Sequence, residues 1–275
     1  MSTLLVKIFS SFLNLFTVDK LRYPAKILYV LLSYYRSDVI DQNLKSTFPN
    51  KLPTDLNHLS KAYRKQLSQT IVEVFKGFFL SQTVLADRFV FKNSEIANKY
   101  YEEGKSIILT LGHIGNWEWG QAVVTHFLRH KCIGVYKPLS DKSFERYILK
   151  KRSQYGVKLL PQKKLLKYLI SHPQETNVYI FIADQYPPVE PRTELDFLGR
   201  RTLFDKSIDK IAKKYSMPVL YADITKVSHA RYETELIEIS NGSSLNDITG
   251  AYAALLESNI LKDPELWLWS HRRWK

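Results

Sequence analysis

From residue 106 onward the chain alternates short β-branched or apolar runs with longer stretches at helical spacing, and this alternation limits the fold more than any other feature. Strand-like runs cover residues 106–111, 131–136, 157–160, 178–183 and 219–227, and helix-like segments at 117–128, 144–155, 163–170 and 205–215 lie between them. Such an order predicts an α/β fold, a mainly parallel sheet flanked by helices. Residues 232–239 read as an added edge strand and 247–261 as a closing helix. Upstream, 56–80 and 93–101 have helical character. The expected division is a helical, membrane-associating N-terminal extension over 1–100 and an α/β core over 101–275.

The stretch 184–201 contains Pro187, Pro188 and Pro191 and reads as a rigid loop without regular pairing. Asp184 stands at the end of one apolar run as His113 stands at the end of another. Two polar groups at strand ends of one sheet can face a common cleft; a loop cap made by the Asp184 side chain is the other reading.

His113 lies between Gly112 and Gly115, and Glu118 follows five positions on, in the first turn of the next helix. An imidazole near a carboxylate suits a charge-supported general base, because a neutral alcohol or amine that attacks an acyl group must lose a proton. Glu118 would then fix the ring tautomer and stabilise the imidazolium, with the nucleophile belonging to the acceptor. Alternatively, His113 caps a strand and Glu118 complements a helix N-terminus.

Lys plus Arg number 40 against 27 Asp plus Glu, and the surplus of +13 points to an anionic partner. The 17 Tyr, 14 Phe and 5 Trp suit an interfacial protein, and no nucleic-acid motif is present. Cys132, the one cysteine, falls in an apolar run and reads as core, and the seven histidines show no metal-ligand spacing, so neither a metal nor a redox cofactor is expected. Leu5, Ile8, Phe9, Phe12, Leu15 and Phe16 recur at helical spacing, interrupted by Lys7 and Asn14, and a second apolar stretch covers 27–35. This pattern predicts helices lying in a membrane interface rather than a span; packing on the core is the alternative.

Five fragments in order carry a resemblance: His-Ile-Gly-Asn-Trp-Glu at 113–118, Val-Tyr-Lys-Pro at 135–138, Ala-Asp-Gln at 183–185, Phe-Leu-Gly-Arg at 197–200 and Leu-Trp-Leu-Trp-Ser-His-Arg-Arg-Trp-Lys at 266–275. Tyr34-Tyr-Arg and Asn43-Leu-Lys-Ser-Thr-Phe-Pro49 extend it almost to the start. The chain resembles the late acyltransferases of lipid A biosynthesis, bacterial membrane enzymes that add secondary acyl chains on a glycerolipid-acyltransferase-like fold. The resemblance implies His113 and Glu118 as the catalytic pair, with Asn116, Lys137, Arg152, Asp184 and Gln185 binding substrate. It also implies acyl carrier protein, or less favourably coenzyme A, as donor, an anionic lipid as acceptor, and the cytoplasmic face of the inner membrane as location. At Lys137 the family usually has arginine, so the charge is kept and the bidentate fork lost. Backbone amides around Gly115 and Asn116, or a nearby cation, would hold the oxyanion. A lysophospholipid or aminolipid acceptor, and a non-catalytic lipid-binding role, are the competing readings.

Overall fold

The computed structural model describes residues 3–187, 189–243 and 247–274. Four helices come first, α1 (Thr3–Asn14), α2 (Arg22–Leu31), α3 (Ser37–Thr47) and α4 (Pro53–Gly77), followed by α5 (Gln82–Ala86), β1 (Phe89–Phe91) and α6 (Glu95–Glu102). Alternation then begins with β2 (Ile107–Leu111), α7 (Trp117–Phe127), β3 (Lys131–Tyr136), α8 (Lys142–Arg152), β4 (Lys158–Pro161), α9 (Leu165–Ser171) and β5 (Asn177–Ile182). After β6 (Arg192–Phe197) and β7 (Arg200–Asp205) come α10 (Ser207–Tyr215), β8 (Val219–Ser228), β9 (Arg231–Ser240) and α11 (Ile248–Lys262).

The main sheet has the strand order β1-β9-β8-β2-β5-β3-β4, and every pairing in it is parallel except β8 with β9. All five residues of β2 are buried, as a central strand covered on both faces requires. Its side chains divide by the period of two. Ile108 packs with Ile133, Tyr179 and residues of α9 and α10 on one face. Ile107 and Leu109 join Trp119, Val123, Tyr252 and Leu256 on the other. Leu13, Leu21, Ile40, Leu44, Tyr63 and Val72 belong to that second cluster, so helices of the first hundred residues share one apolar core with the sheet. Cys132 is buried there as expected.

The structure corrects two readings. Residues 232–239 lie in β9, which is not an edge strand: the three-residue β1 pairs along its outer side, Phe89 to Tyr232 and Phe91 to Thr234. Too short to show a period, β1 was illegible as a strand. The stretch 184–201 is not irregular throughout, because β6 pairs antiparallel with β7. Pro187 and Pro191 precede β6, so neither removes a donor from the ladder, and Pro188 lies outside the described residues. Leu198 and Gly199, at φ 53° and 69°, form the tight connection that left-handed residues favour.

Candidate active site

His113 leaves the end of β2 beside the end of β5. The register Leu111 to Ile182 places residue 113 level with residue 184 across these neighbouring parallel strands. Nδ1 of His113 lies 2.6 Å from Oδ1 of Asp184, and the His113 backbone N–H donates to Oδ2 at 2.9 Å. The Trp267 indole also donates to Oδ2, at 2.8 Å. Asp184 is buried, and burial alone pushes its carboxyl up; the His113 ring and backbone and the Trp267 indole outweigh it and hold the group down at about 2. An ionised Asp184 keeps the proton of a neutral imidazole on Nδ1 and leaves the Nε2 lone pair for chemistry. The Trp117 ring meets the imidazole edge-on at 5.0 Å and restricts its swing.

The loop carrying His113 has little freedom. Gly115 adopts φ 56°, and a Cβ there would come within 3.2 Å of the Tyr232 ring. Its N–H donates to Leu266 O at 3.0 Å, and Ile114 bridges to Trp267. Asn116 is fully buried, with Oδ1 capping α7 through Trp119 N and Nδ2 donating to Glu73 Oε2 at 3.0 Å. Glu73, fully buried in α4, also accepts from Tyr232 OH at 2.8 Å and from Gln69 at 2.9 Å, and its backbone carbonyl takes the Trp119 indole. Burial raises the Glu73 carboxyl, against the pull of the Gln69 bond and of Lys226.

Glu118 has a different partner from the one expected. It lies on the far side of the first turn of α7, where Arg152, at the end of α8, grips it with Nε at 2.9 Å and with Nη2. No hydrogen bond joins Glu118 to His113 among the described residues; the carboxylate on the imidazole is Asp184.

A cavity of about 470 Å³ opens beside His113, inside the usual range of roughly 300–1,000 Å³ for small-molecule pockets. His113, Trp117, Gln185 and Lys137 to Ser140 line it together with Arg152. Phe89, Phe91, Leu109, Val124, Ile180 and Ala222 also line it, between the sheet and α7. Gln185 Nε2 stands 3.5 Å from His113 Nε2. Of the residues singled out from sequence, His113, Lys137, Arg152 and Gln185 therefore border one space. Asp184 and Asn116 are buried behind it, and Glu118 is tied to Arg152. The Gly115 amide, expected as an oxyanion donor, is already used by Leu266.

Residues 13–275 match the profile of the bacterial lipid A biosynthesis acyltransferases. The chain belongs to that family. None of the curated proteins compared with it matches significantly. As a member of this acyltransferase family the protein is an enzyme that transfers acyl groups. No described helix is long and apolar enough to cross a membrane. Glu73 and Trp267 were not legible as parts of the site: Glu73 is one polar residue in a long mixed helix, whereas Trp267 announced itself only through the tryptophan-rich segment around it.

Proposed function

We propose that the protein moves a fatty acyl chain from the thioester of an acyl carrier protein to a hydroxyl of a lipid A precursor. The observation carrying this reading is His113 on the wall of a largely apolar cavity, backed by the buried Asp184 carboxylate. His113 Nε2 takes the acceptor's hydroxyl proton, the oxygen attacks the thioester carbonyl, and the tetrahedral intermediate expels the thiolate. The imidazolium, held by Asp184, returns the proton to the sulfur, so the products are an ester and a thiol. Gln185 and Arg152 line the space in which the carbonyl oxygen gains charge, and they supply donors there.

The apolar part of the cavity suits the donor's acyl chain. Gly134 lines it, and a Cβ at that position would press on Leu159 at 2.9 Å and Gln121 at 3.1 Å. Gly134→Val is expected to shift chain preference to a shorter acyl group by at least two carbons, measured by competing thioesters of different length. An unchanged profile would place the chain elsewhere. The cavity rim at Lys137 runs into α8, whose exposed Lys142, Arg146 and Lys150 follow at successive turns, a charge pattern suited to an acidic carrier.

The acceptor reaches the enzyme at the cytoplasmic face of the inner membrane, and the exposure of α1 and α2 supports the part of this reading that needs contact with a bilayer surface. Leu4, Leu5, Ile8 and Phe12 on α1, Leu15 just after it, and Ile27, Val30 and Leu31 on α2 all point outward. Apolar exposure on two adjacent amphipathic helices of a cationic protein suits an interfacial anchor. Combining Ile8→Asp with Val30→Asp should abolish flotation with anionic vesicles while leaving the melting temperature within a few degrees; retained flotation would refute the anchor. The reaction itself is tested with purified enzyme, acyl carrier protein thioester and lipid A precursor. An added acyl group by mass spectrometry, absent with His113→Ala, is the expected result. Transfer only to lysophospholipid would move the enzyme to another acceptor.

A further inference from the structure

The acyl cavity accounts for one of two substrates. A second depression, of about 240 Å³, lies where α4 and the connection from α2 to α3 meet the segment 268–271. Leu32, Leu67, Ile71 and Leu268 give it apolar walls, and Arg36 and His271 line it as well. Arg36 is exposed, and no carboxylate pairs with it among the described residues. One of its donors, Nη1, is held by Ser270 O at 2.8 Å, which aims the guanidinium and spends a single N–H.

The depression is preformed. Asn43 Nδ2 donates to the carbonyls of Trp269 at 2.8 Å and His271 at 3.0 Å, and Ser270 N–H donates to Tyr63 OH at 3.0 Å. The segment pinned in this way begins at Trp267, the indole on Asp184, so one stretch of chain walls the depression and holds the acid behind His113. His271 lies close enough to Asp184, His113 and Arg36 to feel their charges, while burial brings its own ring down to about 4. At neutral pH the ring is therefore uncharged and Arg36 is the cation of the cleft. Its Nε2 is buried without a partner among the described residues. On the other side, Leu32 and Arg36 continue directly from Val30, Leu31 and Tyr34, which are 68 %, 74 % and 88 % exposed.

Apolar walls, a guanidinium without a carboxylate partner among the described residues, an opening beside the proposed bilayer surface and closeness to His113 describe a site for an amphiphile with an anionic head. We infer that the acceptor lipid docks in this cleft, with a phosphate on Arg36 and hydrocarbon along Leu32, Leu67, Ile71 and Leu268, so that its hydroxyl reaches His113 while the donor chain fills the larger cavity. This assignment rests on the acyl-transfer reading above. A guanidinium is suited to phosphate because its planar fork offers two parallel donors, and the orienting bond to Ser270 leaves such a pair available.

The test is steady-state transfer from a saturating carrier-protein thioester to a phosphorylated lipid A precursor and to the same lipid stripped of its phosphates. For the wild type, dephosphorylation should raise the acceptor KM about tenfold, the factor that one charge-assisted hydrogen bond supplies. Arg36→Gln should raise the KM of the phosphorylated acceptor about tenfold, barely change that of the dephosphorylated one, and leave the donor KM within twofold. Leu67→Gln brings no carboxylate to Arg36 and should also raise the acceptor KM, whereas the exposed Lys65→Gln should change neither constant. Equal effects of Arg36→Gln on both acceptors, or an unchanged KM, would overturn the assignment. Loss of binding to phosphatidylglycerol vesicles with an unchanged acceptor KM would also overturn it, making the cleft a seat for bulk headgroups. A wild type that transfers no acyl group at all would refute the function itself, and this inference with it.

Discussion

Asp184→Asn is expected to lower the transfer rate by about 10³–10⁴-fold, close to the loss from His113→Ala, with the fold intact. Asparagine fills the same volume and still accepts from Trp267, but its amide end turns a donor toward Nδ1. The imidazole then places its own proton on Nε2, where the acceptor hydroxyl needs a lone pair, and the imidazolium loses its counter-charge. Single-turnover transfer at saturating donor isolates the chemical step, and a loss under tenfold would remove Asp184 from the mechanism. The same variant has a stability signature. The wild-type carboxyl lies at about 2 against an ordinary 3.8, so its stabilisation is complete above the ordinary value and disappears as pH falls toward 2. The difference in melting temperature between wild type and Asp184→Asn should accordingly be constant near neutrality and close between about pH 4 and pH 2.

Glu118→Gln should behave differently, costing stability more than chemistry. The Glu118 and Arg152 side chains are 12 % and 29 % exposed and form a two-point ion pair between α7 and α8. Removing the negative partner leaves a guanidinium with poor access to water, at a cost of about 1–3 kcal/mol, less than for a fully buried pair. Since Arg152 also lines the cavity, transfer should fall by about tenfold or less. Denaturant unfolding gives the first quantity and the transfer assay the second. A rate loss equal to that of Asp184→Asn would assign Glu118 to the imidazole after all. Replacing both partners, as Glu118→Gln with Arg152→Gln, should recover most of the stability but not the rate, because the unpaired charge is gone while the cavity has lost its cation.

The contrast between these two acids shows what the sequence could convey. Apolar runs such as 106–111 and 178–183 disclosed the central strands, because a strand buried on both faces has little choice of residue. They also put His113 and Asp184 at strand ends. Which strands are neighbours is decided by packing across the whole chain, so the short spacing from His113 to Glu118 looked more compelling than the true contact, 71 residues away. A helix explains the error: five positions after His113, the Glu118 side chain is carried round to α8. The hairpin β6–β7 was hidden because prolines ahead of it coloured the whole stretch. Glu73 gave no signal, since nothing local tells a carboxylate that will be enclosed in a long helix from one that will face water.

The pinning of 266–273 onto distant parts of the chain has a consequence for synthesis. Gly115 waits for Leu266, Asp184 for Trp267, Asn43 for Trp269 and Arg36 for Ser270, the last two across 226 and 234 residues. Contacts of such sequence separation close late. While translation is under way, α4, against which α1 to α3 pack, follows them at once, but Arg36 and Asn43 are made long before the carbonyls of residues 269–271 that they will hold. The tryptophan-rich segment then ties the strand ends to the helices of the first hundred residues, so that the indole on Asp184 and one wall of the second cleft are supplied only by the last residues to be made.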